Sequence, residues 1–146
     1  MANLRHRYPW LIEGRGRPLN RALYDRLIEA ARERELVAIS ELGDLMGLAL
    51  DYRPQRAEMT QLLGIISRHE VSFARPMLSS VVIDETEDPP GRELFEMGRQ
   101  LGLAEPDEDP LTFALRQQGE TFAFWSADDA PSADEAAQGR TGNGVR

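Results

Sequence analysis

Residues 36–84 read LVAISELGDLMGLALDYRPQRAEMTQLLGIISRHEVSFARPMLSSVVID, and the reading of this stretch decides the fold. Leu36-Val37-Ala38-Ile39 is a short apolar run, long enough for one β-pairing. Ser40 is placed to cap a helix whose Leu42, Leu45 and Met46 face inward and which Gly47 ends. Leu48 to Arg53 forms a turn, and Pro54 opens the next helix. In that helix Met59, Leu62, Leu63 and Ile66 follow the i, i+3, i+4, i+7 rule that marks a buried face. Pro76 breaks the chain, and the β-branched run Met77 to Asp84 predicts a strand.

Upstream, Pro18 suits the first turn of a helix over 18–35, with Leu19, Leu23, Leu27 and Ala31 as its stripe and Ile28 and Ala30 widening it. Downstream, the acidic residues 84–88 and Pro89-Pro90-Gly91 form a loop. A helix over 92–101 follows, carrying Leu94, Phe95 and Leu101, with Gly102 at its end. Asp109-Pro110 starts a last helix, with Leu111, Ala114, Leu115, Phe122 and Trp125 as its expected inner face. Residues 126–146 lack periodicity and are expected to be a disordered tail. The order of elements is that of a winged helix. The expected fold is mainly α with a small β element, winged-helix-like with additional C-terminal helices. The expected organisation is a basic, aromatic N-terminal arm (1–17), a single domain (18–125) and the tail.

The chain has 146 residues, 41% of them hydrophobic, no cysteine and a formal charge of −8. No apolar run approaches the roughly 20 residues that a membrane helix needs. The N-terminal residues lack the apolar stretch of a secretory signal. The absence of cysteine excludes disulfides, thiolate metal sites and a cysteine nucleophile, and fits a cytoplasmic protein. The charge is uneven: residues 1–75 hold 12 arginines against 10 acids, and residues 76–146 hold 5 against 15. Every basic residue is arginine, whose planar fork suits phosphate and carboxylate partners.

As a winged helix, the chain would read double-stranded DNA through its third helix. Gln55, Thr60 and Gln61 would probe the groove, and Arg15, Arg17, Arg53, Arg56 and Arg68, with Arg5 and Arg7, would meet phosphate. Against this, Asp84, Glu85, Glu87 and Asp88 would repel phosphate from the wing. The alternative is a protein-interaction adaptor whose acidic C-terminal half takes a basic protein partner, with Phe122, Phe124 and Trp125 as the partner surface. Tyr8-Pro9-Trp10-Leu11-Ile12, set among arginines, reads as an arm that docks through its aromatics. Ser79 and Ser80 with His69 lack any nucleophile elbow. The acidic loop lacks calcium-loop spacing, and the chain has no lysine to complete a nuclease site. No catalytic, cofactor-binding or metal-binding residue is assigned. The expected function is therefore non-enzymatic, and Arg75 is the guanidinium most expected to have a structural or functional role.

The segments RPMLSSVV (Arg75 to Val82), Pro90-Gly91 and Leu94-Phe95-Glu96 resemble a recurrent signature of small bacterial and phage-associated proteins without an assigned activity. In these, helices like ISELGDLMGL (Ile39 to Leu48) and LLGIISRHE (Leu62 to Glu70) precede a Gly-Arg-Pro-Met-Leu-Ser strand and a turn-helix. The resemblance spans roughly residues 23–103, with Ala74 in place of the glycine and Glu93-Leu94 in place of Gly-Phe. More loosely, the helix-turn-helix and proline-led strand are similar to the winged-helix domain of alkyltransferase-like proteins. Those carry a Pro-Cys-His-Arg-like box where this chain has Pro76-Met77-Leu78-Ser79, so the resemblance concerns the fold alone.

Overall fold

The computed structural model describes residues 18–139. These residues are mainly helical, with one small two-stranded sheet among them. Helix α1 (Arg21–Arg32) starts three residues after Pro18, because the Asn20 side chain, not the proline, caps it by accepting from the Leu23 N–H at 3.0 Å. Strand β1 (Val37–Ala38) runs straight into α2 (Ile39–Met46), and Gly47 ends that helix in the left-handed conformation expected of it. Leu45 is a correction: it is 49% exposed, whereas Leu42 is fully buried. Helix α3 (Arg53–Ser72) follows, with Pro54 in its first turn and with Met59, Leu62, Leu63 and Ile66 all buried as their spacing predicts.

The segment expected as a strand over 77–84 is instead a 3₁₀ turn (Leu78–Val81) followed by a two-residue strand, β2 (Val82–Ile83). The cause is a layer of polar side chains that satisfies the backbone where a β-ladder would have done so. Gln117 Oε1 accepts from the Met77 N–H at 3.0 Å, and the Thr121 hydroxyl donates to the Met77 carbonyl at 3.1 Å. Ser80 pairs with Thr121 at 3.0 Å and Ser67 with Ser79 at 2.5 Å, all four side chains being buried. Only Val82 and Ile83 remain to pair with β1. They do so in parallel, in the register Val37–Val82 and Ala38–Ile83.

Helix α4 (Arg92–Gln100) and helix α5 (Pro110–Ser126) pack together, with α5 capped by Asp109 as its sequence predicts. Their contact depends on Gly98, where an added Cβ would lie 2.2 Å from the Phe113 ring. The inner face of α5 is not the all-apolar stripe expected from the sequence. Phe113, Gln117, Thr121 and Trp125 point inward, while Leu111 and Leu115 are 52% and 58% exposed. Two polar residues on the buried face shifted the apparent phase of the helix.

The expected tail also needs correction, because a further helix, α6 (Ala133–Ala137), closes the fold. Ser132 and Glu135 form a reciprocal capping box at its start. Arg32 donates to the Pro131 carbonyl at 2.6 Å, and Ala136 is completely buried.

One buried ion pair joins these elements. Glu70, with no solvent exposure, accepts from Arg75 Nε at 2.9 Å, from Arg75 Nη2 at 3.1 Å and from the Tyr24 hydroxyl at 2.6 Å. Burial first, and then the Glu70 carboxylate, push the Tyr24 hydroxyl far above its ordinary titration range, so it stays a donor. Arg75 Nη2 and His69 Nε2 both donate to the Ala136 carbonyl, at 3.0 and 2.8 Å, which secures α6.

Arg75→Ala strands the Glu70 carboxylate and is expected to destabilise the chain by about 3–5 kcal/mol. In urea unfolding, the double variant Glu70→Leu/Arg75→Met should lose less than Arg75→Ala alone. Ala74, at the position of the glycine in the resembled signature, has φ of 59°. That left-handed conformation disfavours a Cβ, so Ala74→Gly is expected to stabilise by about 0.5–1 kcal/mol after the entropy gained by the unfolded chain. A lower melting temperature for Ala74→Gly would contradict this.

Candidate functional site

The acidic loop after β2 is folded by its own carboxylates. Asp84 accepts from the Thr86 N–H at 3.0 Å and from the Thr86 hydroxyl at 2.7 Å, and it pairs with the Arg56 guanidinium. Burial alone would raise the Asp84 titration point, but the bonds from Arg56 and Thr86 outweigh it and hold the carboxyl below its ordinary value. Glu87 sits at the start of α4 and accepts from the Gly91 and Glu93 N–H groups at 3.0 and 2.6 Å, where the helix N-terminus favours a negative charge.

This loop, β2, α4 and the first turns of α5 enclose a pocket of about 270 Å³. That lies just under the roughly 300 Å³ at which small-molecule sites begin, and it is room for one or two side chains. Its apolar lining includes Ile39, Leu63, Val82, Ile83, Leu94 and Met97, and Leu111 stands at its wall with half its surface exposed. Asp84, Glu85, Glu87 and Glu93 supply four carboxylates to the same lining, which contains no arginine.

Glu93 is half-buried, and its Oε2 accepts from the Thr60 hydroxyl at 2.9 Å. Its titration point is raised, chiefly by burial, with Glu87 and Asp84 adding to the effect and Thr60 and Arg56 opposing it. The site can therefore offer an apolar cavity with negative charge at its edge and a carboxylate at its wall.

The residues expected to read DNA are distributed differently. Arg15 and Arg17, with Arg5 and Arg7, lie outside the described residues. Arg53 is exposed at the start of α3. Gln55 braces the preceding turn by accepting from the Ala49 N–H at 2.5 Å, and Arg56 is engaged by Asp84. Thr60 and Gln61 are only 9% and 8% exposed, so they do not project towards a groove. Arg68 is half-buried and is not without a partner. The structure thus brings Arg56 and Thr60 together, but around the acidic loop.

The residues expected as an aromatic partner surface are not exposed together. Trp125 is fully buried beneath Arg32, whose guanidinium carbon lies 5.6 Å from the ring centre. Phe122 and Phe124 are partly buried against the core. Ser79, Ser80 and His69 each bond elsewhere, with Ser67, Thr121 and the Ala136 carbonyl. Arg75 serves the buried ion pair and not the acidic loop.

The pocket was legible in the sequence only as an acidic loop beside an amphipathic helix, because its walls come from segments up to about 80 residues apart. Among the described residues no helix is long and apolar enough to cross a membrane, and no cluster of three metal-ligating side chains occurs. Comparison with family models, curated proteins and solved structures yields no match.

The folded Glu93 carboxyl titrates above its unfolded value, so its contribution to stability is present in acid and is lost as pH rises through the folded titration point. Glu93→Gln, which cannot ionise and can still accept from Thr60, should therefore melt at a higher temperature than the native chain at pH 8. The difference should vanish near pH 4. Equal destabilisation at both pH values would show that burial of the charge is not what matters at this position.

Proposed function

We propose that this protein is a small non-enzymatic interaction module whose acidic face binds a basic, apolar-tipped segment of a protein partner. The observation that carries this reading is the acid-rimmed apolar pocket, set in a strongly negative body. Residues 18–139 hold 11 arginines against 24 carboxylates, a net of −13. A field of that sign attracts cationic chains and repels phosphate backbones. Within the pocket, burial of an apolar side chain provides affinity, and the carboxylates select for flanking positive charge.

The reading as a duplex-DNA binder has less support. The winged-helix-like order of helix, strand, helix, helix, strand is consistent with it, as is exposed Arg53. The parallel pairing of β1 with β2 differs from a wing hairpin, whose strands are antiparallel. Arg56 is paired with Asp84, and Thr60 and Gln61 are turned inward. Of the residues expected to meet DNA, what remains for phosphate is Arg53 and the cationic segment 1–17, with 4 arginines against Glu13.

The two readings separate in one titration. A fluorescein-labelled peptide of alternating arginine and leucine should bind the full chain with an affinity that falls as salt rises, while a labelled 20-base-pair duplex shows no shift at low salt. Leu111→Arg places a cation at the exposed pocket wall and is expected to weaken the peptide about tenfold without lowering the melting temperature. Duplex binding that is unaffected by Leu111→Arg, with no peptide binding, would overturn the proposal in favour of nucleic acid.

A further inference from the structure

The pocket's chemistry also identifies a ligand within this chain. We propose that Tyr8-Pro9-Trp10-Leu11-Ile12 of the N-terminal segment occupies the acid-rimmed pocket, so that the chain carries its own competitor for the partner. This rests on reading the pocket as a protein-binding site. The match is chemical. Five residues of large apolar or proline character are bracketed by Arg5 and Arg7 on one side and by Arg15 and Arg17 on the other. The pocket pairs an apolar lining with Asp84, Glu85, Glu87 and Glu93. Residues 1–17 carry +3 and the body −13, so the two attract before any contact forms.

Size agrees with this. The cavity holds one or two side chains, as Trp10 and Leu11 would require, and Leu111 offers an exposed apolar surface beside them. Trp10 lies eight residues before Pro18, so the tether spans roughly 27 Å when extended. Tethering supplies the ligand at an effective concentration of about 1 mM. A second copy or an unrelated partner matches that only at high concentration.

The test uses the full chain and a labelled synthetic peptide, LRHRYPWLIEGRGR, copied from residues 4–17. The native chain should bind it weakly, because the site is filled. The variant Trp10→Ser/Leu11→Ser should bind it about tenfold more tightly, the factor expected for a tethered copy at about 1 mM and an intrinsic Kd of about 0.1 mM. Adding Leu111→Arg to that variant should abolish the gain, and the peptide bearing both serines should not bind. Equal affinity of the native and variant chains overturns the proposal. So does a gain that depends on protein concentration and accompanies a dimer in sedimentation, since a second copy then donates the segment. If the arginine-leucine peptide binds both chains equally and the 4–17 peptide binds neither, only this proposal falls. If neither peptide binds any form, the interaction-module reading falls with it.

Discussion

Glu70 is a carboxylate without contact with water, and the fold is organised around the need to satisfy it. Removing such a group from solvent costs several kcal/mol unless its oxygens are fully bonded. Here both oxygens are used, by the Arg75 fork and the Tyr24 hydroxyl. Tyr24 belongs to α1 and Glu70 to the last turn of α3. Arg75 begins the segment that becomes the 3₁₀ turn, and its Nη2 also reaches the Ala136 carbonyl of α6. One charge thus fixes the relative placement of α1, the end of α3 with the segment that follows it, and α6. Ala74 accepts a left-handed conformation so that Arg75 can turn back onto the helix it has just left.

A second polar layer, from Ser67 through Ser79 and Ser80 to Gln117 and Thr121, decides the local structure of the 3₁₀ segment. It replaces a β-ladder with side-chain bonds and so leaves β2 only two residues long. That truncation matters for the site. β2 ends early, the chain turns into the acidic loop, and α4 is positioned by Glu87 capping its N-terminus. The pocket is the space left between these elements and α5, and its carboxylates are partly those that hold the loop in shape.

The overall charge of −8 conceals a separation. The folded body carries −13, residues 1–17 carry +3, and residues 140–146 carry +2 from Arg140 and Arg146. A body of that sign repels phosphate backbones and attracts cationic chains. Arg56 illustrates the point, because it is spent on Asp84 inside the molecule.

The sequence by itself determined the helices whose apolar residues recur with the helical period. Met59, Leu62, Leu63 and Ile66 on α3, the Gly47 stop and the Asp109-Pro110 start follow from local backbone chemistry and need no distant partner. Its apolar patterning also determined that one short strand would follow α1. It did not determine the faces of α5, because Gln117 and Thr121 count as solvent-facing until their partners at Met77 and Ser80 are known. For the same reason Thr60 and Gln61 looked like surface groups, and residues 127–139, poor in large apolar side chains, looked like a tail. Only the tertiary structure decided which polar residues are buried and where the pocket lies. Burial of a polar group depends on a hydrogen-bond partner, and for Ser67, Ser80 and Arg75 such partners lie 12, 41 and 61 residues away along the chain.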